Sequence, residues 1–284
     1  MTSLISIIIC LCFSFTATFL VSSESIALND MPIIYLCVLL SFLIHWIIFI
    51  PSFIYKTEKF FDFTGSLAFL SVMGCAIYLK KDIIGNLDLH SIILCICVLV
   101  WTIRLGSFLF YRISKVGHDW RFNELKSFPV FLMTWTLSAT WVVITLLPVI
   151  VVLTSDVKIG VNYFTFLGVI IWLFGFLFEV IADFQKMNFK NDKDNQEKFI
   201  NVGLWSLCRH PNYFGEIVLW LGIWIITFPI LSGWQYCTLI SPFFIYMLLT
   251  SISGINFAEK KWKDSKSYNQ YKKEVPKLIP SFWS

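Results

Sequence analysis

The chain has 284 residues, of which 57% are hydrophobic, 18% aromatic and 14% charged, and its formal net charge is +4. Soluble domains carry about 25% charged residues, so this composition excludes an ordinary soluble protein and indicates a membrane protein with several spanning helices. The sequence has neither a nucleic-acid-binding motif nor a basic groove with interleaved aromatic residues, which excludes nucleic acid as an expected partner.

Eight apolar runs predict the architecture. In chain order they are Leu4–Val21, Pro32–Tyr55, Phe63–Leu79, Ser91–Tyr111, Pro129–Leu153, Tyr163–Phe184, Tyr213–Phe228 and Tyr236–Phe257. A helix needs about 20 residues to cross the hydrocarbon core of a bilayer, and the third and seventh runs are shorter. The sequence therefore predicts an all-α polytopic membrane helix bundle with seven to eight transmembrane helices. No domain-sized soluble segment remains, so residues 1–284 are interpreted as a single membrane domain.

The positions of lysine and arginine predict the topology. If the N-terminus and every second loop lie on one side of the membrane, that side holds 18 of the 22 basic residues. The other side holds three, Lys80 among them, and Arg104 lies within a run. Because basic loops stay in the cytoplasm, both termini and the loops at 112–128 and 185–210 are predicted to be cytoplasmic. The membrane would be the endoplasmic reticulum in a eukaryote and the inner membrane in a bacterium.

Polar residues in the first half of the chain are candidates for a site. Asp62 stands at the start of the third run, where an acidic residue can cap the helix. Arg104 is the one basic residue deep in an apolar run, so it must find an acid, a carbonyl or water. Arg112 follows two turns later, and Arg121 lies in the polar loop beyond it.

The end of the sixth run changes from acidic to basic along one helix face. Glu179 and Asp183 are four residues apart, and Lys186 and Lys190 continue the same stripe. The acids can accept hydrogen bonds from ribose hydroxyls or a carboxamide, and the lysines can meet phosphates. The alternative interpretation is a local, salt-bridged helix end.

A polar cluster precedes the seventh run. Pro211 suits the first turn of a helix, so residues 206–210 are interpreted as a loop and the helix is predicted to begin at Pro211. Asn212 and Glu216 then share a face, while Arg209 and His210 lie at the helix mouth. The positive end of the helix dipole together with an arginine suits an anionic ligand such as a phosphate. Residues of these types at a membrane border also serve as plain topology determinants, but a carboxylate one turn inside an apolar run needs a partner or a function.

Other sequence features limit the chemistry. The chain has no GxGxxG motif after a strand and no P-loop, so any nucleotide must be held by the helix bundle itself. Its eight cysteines form no CxxC pair, and no metal site is predicted. The basic tail Glu259–Glu274 can be helical up to Pro276, and it predicts a cytoplasmic amphipathic helix on anionic lipid headgroups.

The cluster belongs to a longer motif, GLW-x-x-x-RHPNYFGE, which resembles the signature of the DUF1295 family, membrane proteins related to the steroid 5α-reductase C-terminal domain. Further similar pieces span residues 62–280; they are Asp62-Phe-Thr-Gly-Ser-Leu, Arg104-Leu, Gly117-His118-Asp119-Trp120-Arg121, Glu179-x-x-x-Asp183-x-Gln185, Ser253-Gly254-Ile255, Tyr268-x-x-Tyr271 and Ile279-Pro280.

The resemblance implies NADPH as the cofactor and reduction of an activated carbon–carbon double bond in a lipid-like or steroid-like substrate. It implies Asp62 and Tyr111 as catalytic candidates, although Trp101 stands at about the depth where those reductases have a tyrosine. The residues expected to bind the cofactor are Arg104, Arg112, Arg121, Glu179, Asp183, Lys186, Lys190, Arg209, His210, Asn212, Tyr213, Glu216 and, from the tail, Glu259, Lys263 and Tyr268.

Two other functions remain open at this point. A looser RHPxY motif occurs in membrane methyltransferases, so the same residues are compatible with an S-adenosylmethionine-dependent transfer to a lipid or a prenylated cysteine. A membrane scaffold without turnover is the non-enzymatic alternative. The sequence specifies neither the substrate nor an oligomeric state.

The charge asymmetry gives a direct test of the topology. Reporter fusions at Lys193 and at the C-terminus should both give a cytoplasmic signal, because each position lies on the basic side. A lumenal or periplasmic signal at either position would contradict the predicted arrangement of the helices.

Overall fold

The computed structural model describes residues 2–116 and 127–281 and confirms an all-α architecture. Every predicted apolar run is helical. The helices are α1 (Thr2–Val21), α2 (Ile33–Ile54), α3 (Phe61–Ile84), α4 (Leu89–Val116), α5 (Phe128–Thr154), α6 (Tyr163–Asn191), α7 (Leu204–Leu207), α8 (Pro211–Thr227), α9 (Ile240–Met247), α10 (Gly254–Lys260) and α11 (Lys266–Glu274). Among the described residues, β structure is limited to an antiparallel pair of two-residue strands, β1 (Ala27–Leu28) and β2 (Met31–Pro32).

In the described part of the chain, six helical segments are long and apolar enough to cross a membrane, which makes the chain a multi-pass membrane protein. They are Thr2–Glu24, Ile33–Ile54, Leu89–Lys115, Phe128–Thr154, Tyr163–Asn191 and Gly233–Lys260. The last segment joins a 3₁₀ turn, α9, a π-helical stretch at Leu248–Ile252 and α10. The two remaining runs are the short third and seventh ones, which form α3 and α8.

The described chain divides into two compact units, and the first comprises Met1–Phe166 and Ile223–Ser241. Its centre is α5, which packs against α1, α2 and α3 and is buried over most of its length. Polar contacts tie these helices together. His45 Nδ1 lies 2.8 Å from the Ser41 carbonyl oxygen, and His45 Nε2 lies 3.1 Å from Ser138 Oγ on α5. The prediction that residues 1–284 form a single membrane domain stays a prediction, because a packing unit is not necessarily an independently folding domain.

Lys80 occupies a different environment from the one that the sequence predicted. It was assigned to a loop, but it lies in α3 and is fully buried. Its ammonium group donates a hydrogen bond to the carbonyl oxygen of Val152 on α5, 3.0 Å away. A buried lysine must satisfy its donors in this way, so Lys80 links two helices of the first unit.

The second unit comprises Leu167–Gly222 and Pro242–Ser284. Here α6 and α8 pack antiparallel with their backbones in contact at glycines. A Cβ atom at Gly215 would lie 2.6 Å from the carbonyl oxygen of Gly175 and from the backbone nitrogen of Glu179. One at Gly222 would lie 2.7 Å from the carbonyl oxygen of Gly168. The two glycines are seven residues apart on each helix, which keeps them on one face and allows this close approach.

The tail differs from the single helix that the sequence predicted. The chain stops being helical after Lys260, and α11 begins at Lys266 because Ser265 caps it by accepting a hydrogen bond from the Tyr268 backbone N–H. On α11, Tyr268 and Tyr271 are buried, and their rings lie 5.0 and 5.2 Å from the ring of Phe199. The aromatic face of this helix therefore packs against protein and is not the face that would contact lipid.

The glycine contact predicts a sharp difference between two alanine substitutions. Gly215→Ala should lower the free energy of unfolding by about 1–3 kcal/mol, because the new methyl group meets the backbone of α6. Gly74→Ala, in α3, has no heavy atom within 4 Å of the added carbon and should be neutral or stabilising. Thermal unfolding of both variants in detergent measures the difference, and equal melting temperatures would contradict the close packing of α6 and α8.

Candidate functional site

The segment that precedes the candidate site, residues 203–207, packs against the end of α6. Gly203 has a φ of 64°, and a Cβ at this position would lie 2.6 Å from the Gln185 side chain. Gln185 Oε1 accepts a hydrogen bond from the Leu204 N–H at 2.9 Å, and Trp205 Nε1 donates to the Ala182 carbonyl oxygen at 3.0 Å. These contacts make residues 204–207 helical, so the predicted loop is reduced to residues 208–210.

The cluster begins at the start of α8, which Pro211 opens as predicted. Arg209 Nη1 donates to Glu259 Oε1, and His210 Nε2 lies 3.2 Å from the same oxygen. The other carboxylate oxygen, Oε2, accepts from Lys272 Nζ at 2.8 Å. The side chains of Arg209, His210 and Glu259 are only 9%, 6% and 14% exposed, so this is a largely buried ion-pair network.

Lys272 is the member of the network that sequence reasoning missed. The lysine predicted from the tail was Lys263, which is exposed to solvent and whose predicted contact with the cofactor stays a prediction. The available signal was the helical spacing of Tyr268, Tyr271 and Lys272, which places the lysine on the face that carries the two buried tyrosines.

The tail is also fastened to this segment through backbone groups. The Arg209 N–H donates to the Pro276 carbonyl oxygen at 2.9 Å, and the Ser281 N–H donates to the Leu207 carbonyl oxygen at 3.0 Å. The hydroxyl of Tyr271 donates to the carbonyl oxygen of Trp205. Together these contacts hold the end of the chain over the start of α8.

Burial sets the protonation states around the cluster. It lowers the pKa of His210, a shift that the hydrogen bond to Glu259 opposes, so the imidazole is neutral at pH 7. A carboxylate only accepts hydrogen bonds, so the neutral ring carries its proton on Nε2. Burial also raises the pKa of Tyr268 to about 12, which keeps its hydroxyl protonated. With His210 neutral, the positive charges of Arg209 and Lys272 and the negative charge of Glu259 give the network a net charge of +1.

Two buried polar atoms beside the network have no hydrogen-bond partner among the described residues. One is Nε of Arg209, a donor, and the other is Oδ1 of Asn212, an acceptor in the first turn of α8. Unsatisfied buried polar atoms are rare and costly in folded proteins. A donor and an acceptor left open at the N-terminus of a helix form an arrangement that can receive an anionic, hydrogen-bonding ligand.

The acidic-to-basic stripe of α6 contributes in part. Glu179 and Asp183 are buried, and the glycine contact holds the backbone of Glu179 against that of Gly215. Lys186 lies over the Trp205 ring at 4.9 Å and acts electrostatically on His210.

Lys190, in contrast, has a structural role that accounts for its charge. Its ammonium group donates to three backbone carbonyls, those of Asn195, Gln196 and Lys198. It caps the loop that follows α6, and its predicted contact with a phosphate stays a prediction.

Of the other predicted residues in this unit, Tyr213 stacks on His210 with ring centroids 5.4 Å apart. Glu216 is partly buried in α8 and makes interactions of its own.

The remaining predicted residues belong to the first unit. Arg112 Nη2 lies 3.6 Å from Asp62 Oδ2, and Arg104 lies over the Phe108 ring at 5.4 Å. The side chain of Tyr111 is 55% exposed. Their catalytic and binding roles stay predictions.

Arg121 lies outside the described residues, so its predicted contact with the cofactor has no structural counterpart here.

The fold and composition define the class of the chain as an all-α polytopic membrane protein. The profile of DUF1295, whose description is "protein of unknown function", matches residues 45–275. The chain belongs to the DUF1295 family, as its RHPNYFGE motif predicted. A search of curated proteins and a search of solved structures each found no match.

The ion-pair network predicts unequal effects for one substitution at two glutamates. Glu259→Gln should lower the free energy of unfolding by roughly 3–5 kcal/mol, because it leaves the buried Arg209 guanidinium without a compensating charge. Glu197→Gln removes an exposed pair with Lys261, 3.2 Å long, and should cost about 0–1 kcal/mol. Denaturant titration in detergent compares the two, and equal stabilities would show that the buried network is not stabilising.

Proposed function

We propose that the chain is an intramembrane reductase that uses NADPH to reduce an activated carbon–carbon double bond in a lipid-like or steroid-like substrate. The observation that carries this proposal is the buried Arg209 at the start of α8, with a guanidinium donor that no described residue satisfies. A multi-pass helix bundle gives such a site a hydrophobic surrounding in which an apolar substrate dissolves.

The donor set fits the phosphate-bearing part of the cofactor. Arg209 offers a planar fork of donors, and the N-terminus of α8 adds the positive end of its dipole. Lys186 and Lys272 add positive charge around His210 and Glu259. Asn212 Oδ1 is an acceptor suited to a ribose hydroxyl or to the amide of nicotinamide.

The reaction needs one hydride and one proton. When bound, NADPH would supply a hydride to the β-carbon of an enone, which with one proton would give the saturated carbonyl compound and NADP⁺. On the protein side, Glu259 holds the Arg209 guanidinium in a single orientation, and the buried surroundings exclude water from the bound phosphate. Asp62 and Tyr111 remain our candidates for stabilising the developing enolate and delivering the proton.

The same proposal includes a location. With the basic residues on the cytoplasmic side, the Arg209 site opens toward the soluble NADPH of the cytosol. We place both termini in the cytoplasm, and the membrane is the endoplasmic reticulum or, in a bacterium, the inner membrane.

Binding measurements test the proposal against its rivals. Purified protein in detergent should bind NADPH in calorimetry and should not bind S-adenosylmethionine. Binding of S-adenosylmethionine alone would replace the reductase by a methyltransferase, and binding of neither would favour a scaffold. Consumption of NADPH in the presence of an enone lipid would complete the assignment.

Arg209 is the residue to vary. Arg209→Ala should weaken NADPH binding roughly tenfold to a hundredfold, because a charge-assisted contact contributes about 1.5–3 kcal/mol. Arg209→Lys should restore part of the affinity, since lysine keeps the charge but lacks the fork. Lys273→Ala, at an exposed lysine with no predicted role, is the matched control.

Glu216→Gln tests the other end of the motif. It should impair NADPH binding or turnover if the carboxylate accepts hydrogen bonds from the ligand or from the neighbouring loop. If the Arg209→Ala, Glu216→Gln double variant binds NADPH with undiminished affinity, the motif has a structural role and does not bind the cofactor.

A further inference from the structure

The second unit contains an open surface groove that the residues of the proposed function do not line. It has a volume of about 400 Å³ and lies at the end of α6, between this helix and the loop that follows it. Its lining includes Phe184, Gln185, Asn188, Phe189, Asp192 and Asn195. We call this depression the α6 groove.

Several hydrogen bonds preform the α6 groove. Lys190 pins the loop by donating to the carbonyl oxygens of residues 195, 196 and 198. Asn195 Nδ2 donates a hydrogen bond to Asp192 Oδ2 at 3.1 Å, and Gln185 Oε1 accepts a hydrogen bond from the Leu204 N–H. Because the walls of the groove are already ordered, little conformational entropy is lost when a ligand binds there.

The lining selects the chemistry of the ligand. Phe184 and Phe189 provide flat apolar surfaces, and the carboxamide of Asn188 provides both a donor and an acceptor. Among the described residues that line the groove there is no lysine or arginine, and Asp192 carries a negative charge. This combination disfavours a phosphate and suits a planar, uncharged heteroaromatic group, since carboxamides pair with the edge of adenine and aromatic rings stack on its face.

The α6 groove is continuous along the chain with the Arg209 cluster. Gln185 and Gly203 line it, and the segment from Gly203 leads in six residues to Arg209. Lys186, the neighbour of Gln185 on α6, acts electrostatically on His210. An aromatic groove without lysine or arginine in its lining, followed along the chain by a cationic cluster, has the order of groups of a nucleotide, with its base at one end and its phosphate at the other.

We propose that the α6 groove binds the adenosine moiety of the cofactor. The inference rests on the proposed function only in that the ligand is a nucleotide cofactor. Adenosine is common to NADPH and S-adenosylmethionine, so the groove would serve a reductase and a methyltransferase alike.

The test uses AMP as the probe with the full-length protein in detergent. Asn188→Leu keeps the volume of the side chain but removes its hydrogen bonds, and it should weaken AMP binding about tenfold in calorimetry. Phe184→Ala should weaken it by roughly tenfold as well, because a stacking surface is lost. Asn201→Leu is the matched control, since Asn201 is exposed and does not line the groove. Unchanged melting temperatures would show that all three variants fold.

The outcomes separate this proposal from the reductase. Equal AMP affinity in wild type and all variants, or no AMP binding by the wild type, would overturn the adenosine site. NADPH binding that Asn188→Leu leaves intact would likewise overturn the groove while supporting the reductase. Loss of S-adenosylmethionine affinity in the same variants, in a protein that ignores NADPH, would support the groove and reject the reductase.

Discussion

The second unit depends on one carboxylate, that of Glu259. A guanidinium as buried as that of Arg209 is tolerated only with a compensating charge, and Glu259 supplies it from α10. Its other oxygen receives Lys272 from α11, so the same group holds the last helix in place. Three segments that are far apart in sequence therefore meet because a single buried positive charge has to be neutralised.

Glycine makes the geometry around that carboxylate possible. Between membrane helices there is little hydrophobic driving force, so close packing must come from small residues and from polar contacts. Gly175 and Gly215 let the backbones of α6 and α8 touch, which fixes the start of α8 relative to the acidic stripe of α6. The first unit solves the same problem with polar side chains, as the hydrogen bonds of His45 and Lys80 to Ser138 and Val152 on α5 show.

The charges of the second unit are divided between building the site and serving it. Lys190 spends its donors on loop carbonyls and thereby shapes the α6 groove, whereas Arg209 keeps Nε available after pairing with Glu259. In our proposal, the α6 groove and the Arg209 cluster, which lie on one connected segment of the chain, bind the two ends of a nucleotide.

Local composition and residue spacing were sufficient to predict the helices, the start of α8 and the family. The apolar runs predicted the helices, the Pro211 signal predicted the start of α8, and the motif predicted the family. These succeed because helix length, hydrophobicity and capping are properties of neighbouring residues. The spacing also predicted that acidic and basic residues share one face of α6. It did not predict which residues elsewhere in the chain those side chains contact.

The partners of these side chains are visible only in the three-dimensional structure. It shows that Lys272 pairs with Glu259, that Lys190 caps a loop, and that Lys80 is buried. It also divided the tail at Ser265 and placed the tyrosines of α11 against Phe199. The physical reason is that a lysine or tyrosine has the same local spacing whether it faces water, a carbonyl or a carboxylate, and that choice is made by residues distant in sequence.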